Sequence, residues 1–181
     1  MLARVCNIDY DREMPIVAEM NEADAIREIP ATFHLKNLEE TEMAKKIIRS
    51  DKVWQHKMSW SYGAMIDPGS KIVMVSGAIP VDKEGNLVGR DNMKAQIAQV
   101  VKNMEAVLEA GGATLNDVVF MRMYTTDVEE WIKTMAWRSE NYPELWGKTL
   151  GDQTAAAQTL IGVTRLGIKD VMLEIEAVAA I

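Results

Sequence analysis

Two carboxylates, Glu174 and Glu176, stand two residues apart in Leu173-Glu174-Ile175-Glu176-Ala177-Val178-Ala179, so on a strand both project from one side. A carboxylate on an otherwise apolar strand is costly unless it is paired, hydrated or in use. One that is partly withdrawn from water can orient or deprotonate a water molecule for attack. A solvated outer sheet face explains the same alternation, and the period alone does not separate the two readings. Ser76-Gly77 ends a β-branched run and sets a small hydroxyl beside a residue without a side chain, where a ligand can approach the backbone closely. A strand-end turn has the same composition. No G-x-S-x-G elbow, Walker loop or paired-glycine dinucleotide fingerprint is present, so serine-hydrolase, kinase and dehydrogenase chemistry lacks its usual machinery. One cysteine, Cys6, with His34 and His56, permits neither an internal disulfide nor the usual Cys/His zinc site. No metal and no cofactor is expected. Trp60, just before the first strand, and Trp146, in the loop before Gln158, stand where they can line a pocket or an interface, whereas Trp131 has core spacing.

These residues need a scaffold, and periodicity outlines one. Lys71–Gly77 reads as a strand, Val81–Asn86 as a turn and Leu87-Val88 as a brief partner strand. From Asn92 to Ala110 the positions Met93, Ile97, Val100, Val101, Met104, Val107 and Leu108 fall at helical spacing, and Gly111-Gly112 supplies the stop. Val118–Tyr124 is rich in strand formers. Thr126-x-x-Glu129 then reads as a capping box for a second helix with Val128, Trp131, Ile132, Met135 and Ala136 on one face. Strands follow at Gln158–Leu166 and Val171–Ala179. The order β-β-α-β-α-β-β predicts an α+β fold, a mixed sheet with two helices on one face and the other face left for an oligomer to bury. Residues 1–58 read as an N-terminal extension, with short helices at Asn21–Glu28 and Asn37–Ser50 around Pro30, and residues 59–181 as the main domain.

Composition bounds the partners. With 48% apolar and 26% charged residues, the 181-residue chain matches a globular protein able to bury a core. A net charge of −7 is the wrong sign for wrapping phosphate backbones, so nucleic acid is not an expected partner. No apolar stretch approaches the roughly 18 residues of a spanning helix, and the first residues meet charge too early for a signal-peptide core, so a cytoplasmic protein without membrane contact is expected.

Four ordered segments carry a family resemblance: Ser76-Gly77-Ala78-Ile79-Pro80, the run Val107–Val119 with its Glu109-Ala110-Gly111-Gly112 centre, Tyr124-Thr125-Thr126-Asp127, and Leu173–Ala179. Together they resemble the signature segments of the Rid (YjgF-like) reactive-intermediate deaminases over residues 60–181. The resemblance implies a chorismate-mutase-like protomer, assembled as a homotrimer with an inner sheet barrel and sites between subunits. It also implies hydrolysis of imines or enamines to ketones and ammonia, without a cofactor. Carried over by position, Ser76 lies beside the substrate with Gly77, and Glu174 holds the attacking water. The family's carboxylate-clamping arginine is missing: Gln158-Thr159-Leu160 stands where Arg-Ser-Cys is the pattern, and Arg165 in Val163-Thr164-Arg165-Leu166 matches a separate position. Met135 stands for a pocket asparagine.

Neutral hydrogen bonds are roughly half as strong as charge-assisted ones, so Gln158 should hold a small α-imino acid poorly and read a neutral group instead. Lys148, in the long loop from Tyr142 to Ala157, is a candidate substitute cation. The expected function is therefore hydrolytic deamination at an imine, enamine or related C–N bond of a small metabolite lacking a simple α-imino acid carboxylate. Glu174 and Ser76 are the catalytic candidates, and Gly77, Gln158, Met135, Trp60 and Trp146 the substrate-binding ones. The alternative is a non-catalytic trimer of the same fold that binds a small molecule or a partner protein. Ribonuclease chemistry is disfavoured, because the chain is acidic and offers no His or Lys pair for a ribose.

Overall fold

Four strands and an 18-residue helix hold most of the residues singled out above. The structure, a computed structural model, describes residues 45–48, 50–53, 60–148 and 155–181. The expected helix at Asn21–Glu28, and Cys6, His34, His56 and Trp54, lie outside them. The β-branched run forms β3 (Ile72–Ala78), followed after a turn by α1 (Met93–Ala110), β4 (Val118–Thr125), α2 (Val128–Lys133), α3 (Met135–Asn141), α4 (Pro143–Trp146), β5 (Ala157–Gly162) and β6 (Leu173–Ala180); β1 (Lys45–Ile48) and β2 (Gly63–Ile66) precede them. The main sheet runs β3-β6-β4-β5, with β6 antiparallel to both neighbours and β4 parallel to β5.

Helix α1 begins where expected, with the Asn92 side chain accepting from the Ala95 amide. It ends at Gly111, followed by Gly112 at φ 80°, a left-handed value that glycine adopts without strain. Its buried residues Ile97, Val100, Val101, Met104 and Leu108 share one core with Leu173, Ile175, Ala177 and Ala179 of β6 and with Met121 and Met123 of β4. Each fully buried aliphatic side chain of this kind stabilises the fold by about 1.5–3 kcal/mol. Alternate residues face the other way: Ile72, Met74 and Ser76 on β3, Glu174, Glu176 and Val178 on β6, and Phe120, Arg122 and Tyr124 on β4. No element among the described residues covers that face, and Met74 is 77% exposed on it.

Several expectations need correction. Residues 45–48, read as part of a helix in the extension, form β1 and pair antiparallel with β2. The Lys45 ammonium anchors this hairpin by donating to the Val118 carbonyl at 2.7 Å and to the Asn116 carbonyl, with burial lowering its pKa. Tertiary pairing outweighs the weak local helical pattern there. Leu87 makes only a single bridge to Val81 and no strand. The second helix is capped by Asp127, not by the box at Thr126, and it breaks at Thr134, whose hydroxyl donates to the Trp131 carbonyl at 2.7 Å. Its buried residues are consequently Trp131, Thr134, Arg138 and Ser139, while Ile132 and Ala136 are exposed. Val107, expected in the core, is also exposed.

Candidate functional site

The first group of candidate residues lies where β3 and β6 fall out of step. Val75 pairs with Ala177 and Ala78 with Ile175, so β3 carries one extra residue in the Ser76-Gly77 interval. Such a bulge bends a strand and re-aims its side chains. Here it brings the Gly77 backbone against Glu174: a Cβ on Gly77 would stand 1.9 Å from the Glu174 Oε1. Only glycine leaves room for that carboxylate.

The two glutamates differ in their partners. Glu176 accepts from the Arg122 guanidinium at 3.0 Å and from the Tyr124 hydroxyl at 3.2 Å. Glu174 has no hydrogen-bond donor or cation paired with it among the described residues, and it is half-buried. Ser76 is exposed on the same face, in a hollow it shares with Arg122 and Glu176.

Helix α1 braces both strands that carry this group. The buried Gln96 amide donates to the carbonyls of Gly89 and Asp170 and accepts from the Met172 amide at 2.7 Å, which fixes the entry to β6 just before Glu174. Asn103 donates to the carbonyls of Ile79 and Val81, which fixes the exit from β3 just after Gly77. Buried amides satisfied in this way hold the backbone in a single arrangement.

A second group lies on the helix side of the sheet. A cavity of about 450 Å³ opens between β5, the helices α2 to α4 and Trp60, and it is lined by Trp60, Met135, Trp146 and Gln158 among others. The structure thus brings four of the seven candidates together in one cavity and places Ser76, Gly77 and Glu174 on the opposite face of the sheet. Trp146 is fully buried and closes α4, a one-turn helix started by Pro143, in place of the expected loop. Its indole N–H donates to the Gln158 Oε1 at 3.2 Å, so the residue that the resemblance sets at the clamping-arginine position is oriented by a tryptophan.

Sequence reasoning missed the charged member of this cavity, Arg138. It is 5% exposed, and its guanidinium stacks 3.8 Å from the ring centre of Trp131 and 5.2 Å from that of Trp146. Burial lowers its pKa from the ordinary guanidinium value to about 9. The proposed substitute cation, Lys148, is exposed and is not among the described residues lining the cavity. The available signal was the spacing Trp131, Thr134, Arg138, three and seven residues along one helical face.

Residues 56–181 match the family model described as endoribonuclease L-PSP. The chain belongs to this Rid/YjgF-like family. Among its Rid relatives, a RutC family protein of Pyrococcus abyssi is 34% identical over 137 residues, covering 76% of this chain and 98% of that protein. A 2-iminobutanoate/2-iminopropanoate deaminase of Salmonella typhimurium is 33% identical over 114 residues, covering 63% of this chain and 82% of that protein. A Rid-family protein of Yersinia pestis has a similar solved structure, with TM-score 0.64 and 26% identity over 77% of this chain and 100% of its own. The Escherichia coli TdcF structure with bound serine gives TM-score 0.51 at 27% identity, covering 75% of this chain and 98% of that one. The fold is the chorismate-mutase-like α+β fold that the Rid resemblance implied. No helix among the described residues is long and apolar enough to cross a membrane.

Proposed function

We propose that this Rid protein is a cytoplasmic hydrolytic deaminase that cleaves the C=N bond of an imine, or of the iminium tautomer of an enamine, with water held by Glu174. The observation that carries the reading is the contrast between the glutamates: Glu176 is tied to Arg122 and Tyr124, while Glu174 is kept against the Gly77 backbone with no donor among the described residues. An unpartnered carboxylate of this kind is available to a water molecule. In the reaction Glu174 accepts a proton as the water oxygen bonds to the iminium carbon. The C=N π electrons move onto nitrogen, giving a carbinolamine. Return of that proton to nitrogen lets ammonia depart as the hydroxyl gives its own proton to the freed Glu174 carboxylate and the C–O bond becomes a carbonyl. The name of the Salmonella relative supports the reaction class.

Two observations support a homotrimer with sites shared between subunits. The open sheet face carries the exposed apolar residues Ile72 and Met74, and the candidate residues divide between the two faces of one chain. A second copy laid on the open face would bring a cavity to Glu174 and complete the site. Nothing in this scheme calls for metal, nucleic acid or membrane, and the net charge of −7 weighs against a polyanionic partner. Because Gln158 offers no charge, the substrate is a small metabolite other than a simple α-imino acid clamped at that residue.

The test is ammonia release by the full-length protein over freshly generated imines and enamines with and without an α-carboxylate. Turnover concentrated on compounds other than small α-imino acids is expected. No ammonia from any of them would favour the non-catalytic binding protein, and best turnover on 2-iminopropanoate would refute the role given to Gln158.

A further inference from the structure

We propose that Arg138 is an anion-binding residue that receives the carboxylate of an apolar-bodied ligand inside the cavity between Trp131, Trp146 and Gln158. Arg138 is 5% exposed, its Nε is buried with no hydrogen-bond partner, and no carboxylate among the described residues pairs with it. A buried charge in that condition is costly, and natural interiors rarely keep one without a partner. The indole rings of Trp131 and Trp146 stabilise the cation through their faces. Stacking leaves the in-plane N–H donors unused, and their fork matches the two oxygens of a carboxylate. Even with its pKa lowered to about 9, the group is charged at neutral pH.

The surrounding walls define the rest of the ligand. Trp60, Met123, Met135 and Leu160 make the cavity mainly apolar, and its volume of about 450 Å³ lies in the range of roughly 300–1,000 Å³ usual for small-molecule sites. A single cation in apolar surroundings suits a single negative charge. A phosphate dianion would bring a second charge with nothing there to meet it. The ligand class is thus a monocarboxylate on an aromatic or branched aliphatic body, with its carboxylate at position 138 and not at position 158. This deepens the deaminase reading by describing its substrate, and it rests on that reading only in calling the ligand a substrate.

Binding is read without turnover, so the two ideas fail separately. The full-length protein is titrated at pH 7 with 3-phenylpropionate and with its neutral amide, 3-phenylpropionamide, by calorimetry and by quenching of tryptophan fluorescence. Hydrogen bonds to a charged group are worth about 1.5–3 kcal/mol, so the acid should bind at least about tenfold more tightly than the amide. Arg138→Gln and Arg138→Met should bring the two affinities within about twofold, chiefly by weakening the acid, while an unchanged mass and circular-dichroism spectrum report an intact fold. Arg138→Lys should keep part of the preference, and inorganic phosphate should not compete. Equal affinities in the wild type, binding of neither probe, a preference that survives in Arg138→Gln, or effective competition by phosphate would each overturn the proposal. Tight acid binding with no ammonia release from any imine would leave it standing and remove the deaminase reading alone.

Discussion

Replacing Arg138 by methionine should make the ligand-free protein more stable. On folding, burial lowers the guanidinium pKa from its ordinary value to about 9. At about 1.36 kcal/mol per pKa unit this corresponds to a penalty of about 5 kcal/mol. The sign follows from linkage: below about pH 9 both states carry the proton and the penalty is full, and it is relieved only as pH rises from there towards the ordinary guanidinium value. Stacking on two indoles offsets part of it, by up to about 2 kcal/mol for each desolvated cation–π contact. Methionine fills similar volume without charge, so a net gain of about 1–3 kcal/mol is expected, as when other buried charges give way to apolar groups. For a chain of this length that is a rise in Tm of about 2–12 °C at pH 7, read by calorimetry or circular dichroism without added ligand. A fall in Tm of several degrees would refute the reasoning, because it would show that the guanidinium is already paired in the assembled protein.

Gly77→Ala places a Cβ 1.9 Å from the Glu174 Oε1 and 2.8 Å from its Cδ. The flexible carboxylate end should swing aside, so Tm should change by no more than about 1 kcal/mol's worth while ammonia release falls by at least about tenfold; unchanged turnover would show that the close approach is not used. Lys45→Met leaves the carbonyls of Asn116 and Val118 without their ammonium donor and should cost about 1–3 kcal/mol of stability by denaturant titration, and an unchanged midpoint would remove the anchoring role. Trp146→Phe deletes the indole hydrogen bond to Gln158 and should cost about 1 kcal/mol, with a larger relative loss in affinity for cavity ligands than Tyr142→Phe, which touches the same ring from outside the cavity lining.

The parts of the fold that were legible are those in which local pattern and tertiary role agree. The stripe of α1, its Asn92 cap and its Gly111-Gly112 stop all follow from residues next to one another in sequence, and so do the cores of β3, β4 and β6. Lys45–Ile48 was not legible, because its partner β2 and the carbonyls that bind Lys45 are distant in sequence. The break at Thr134 depends on one side-chain hydrogen bond within an otherwise helical pattern. At the candidate site, Ser76-Gly77 and the pair Glu174 and Glu176 could be picked out by type and spacing, while the preference for Glu174 came only from the family resemblance. The pairing of Glu176 with Arg122 and Tyr124 across β4, which sets the two glutamates apart, is not visible in the alternation. Arg138 was hidden for a further reason: a charged residue on a helix is ordinarily a surface residue, and only the converging rings of Trp131 and Trp146 turn it inward.

The most direct measurement compares steady-state ammonia release by Glu174→Gln and Glu176→Gln on the best substrate of the imine panel, with mass and Tm recorded for each variant. Glu174→Gln should keep the assembly and lose about 100-fold or more in kcat, the usual order for a general base. Glu176→Gln, which alters the pairing with Arg122 and Tyr124, should lose less than about tenfold. Equal losses, or full turnover in Glu174→Gln, would contradict the assignment of the water to Glu174.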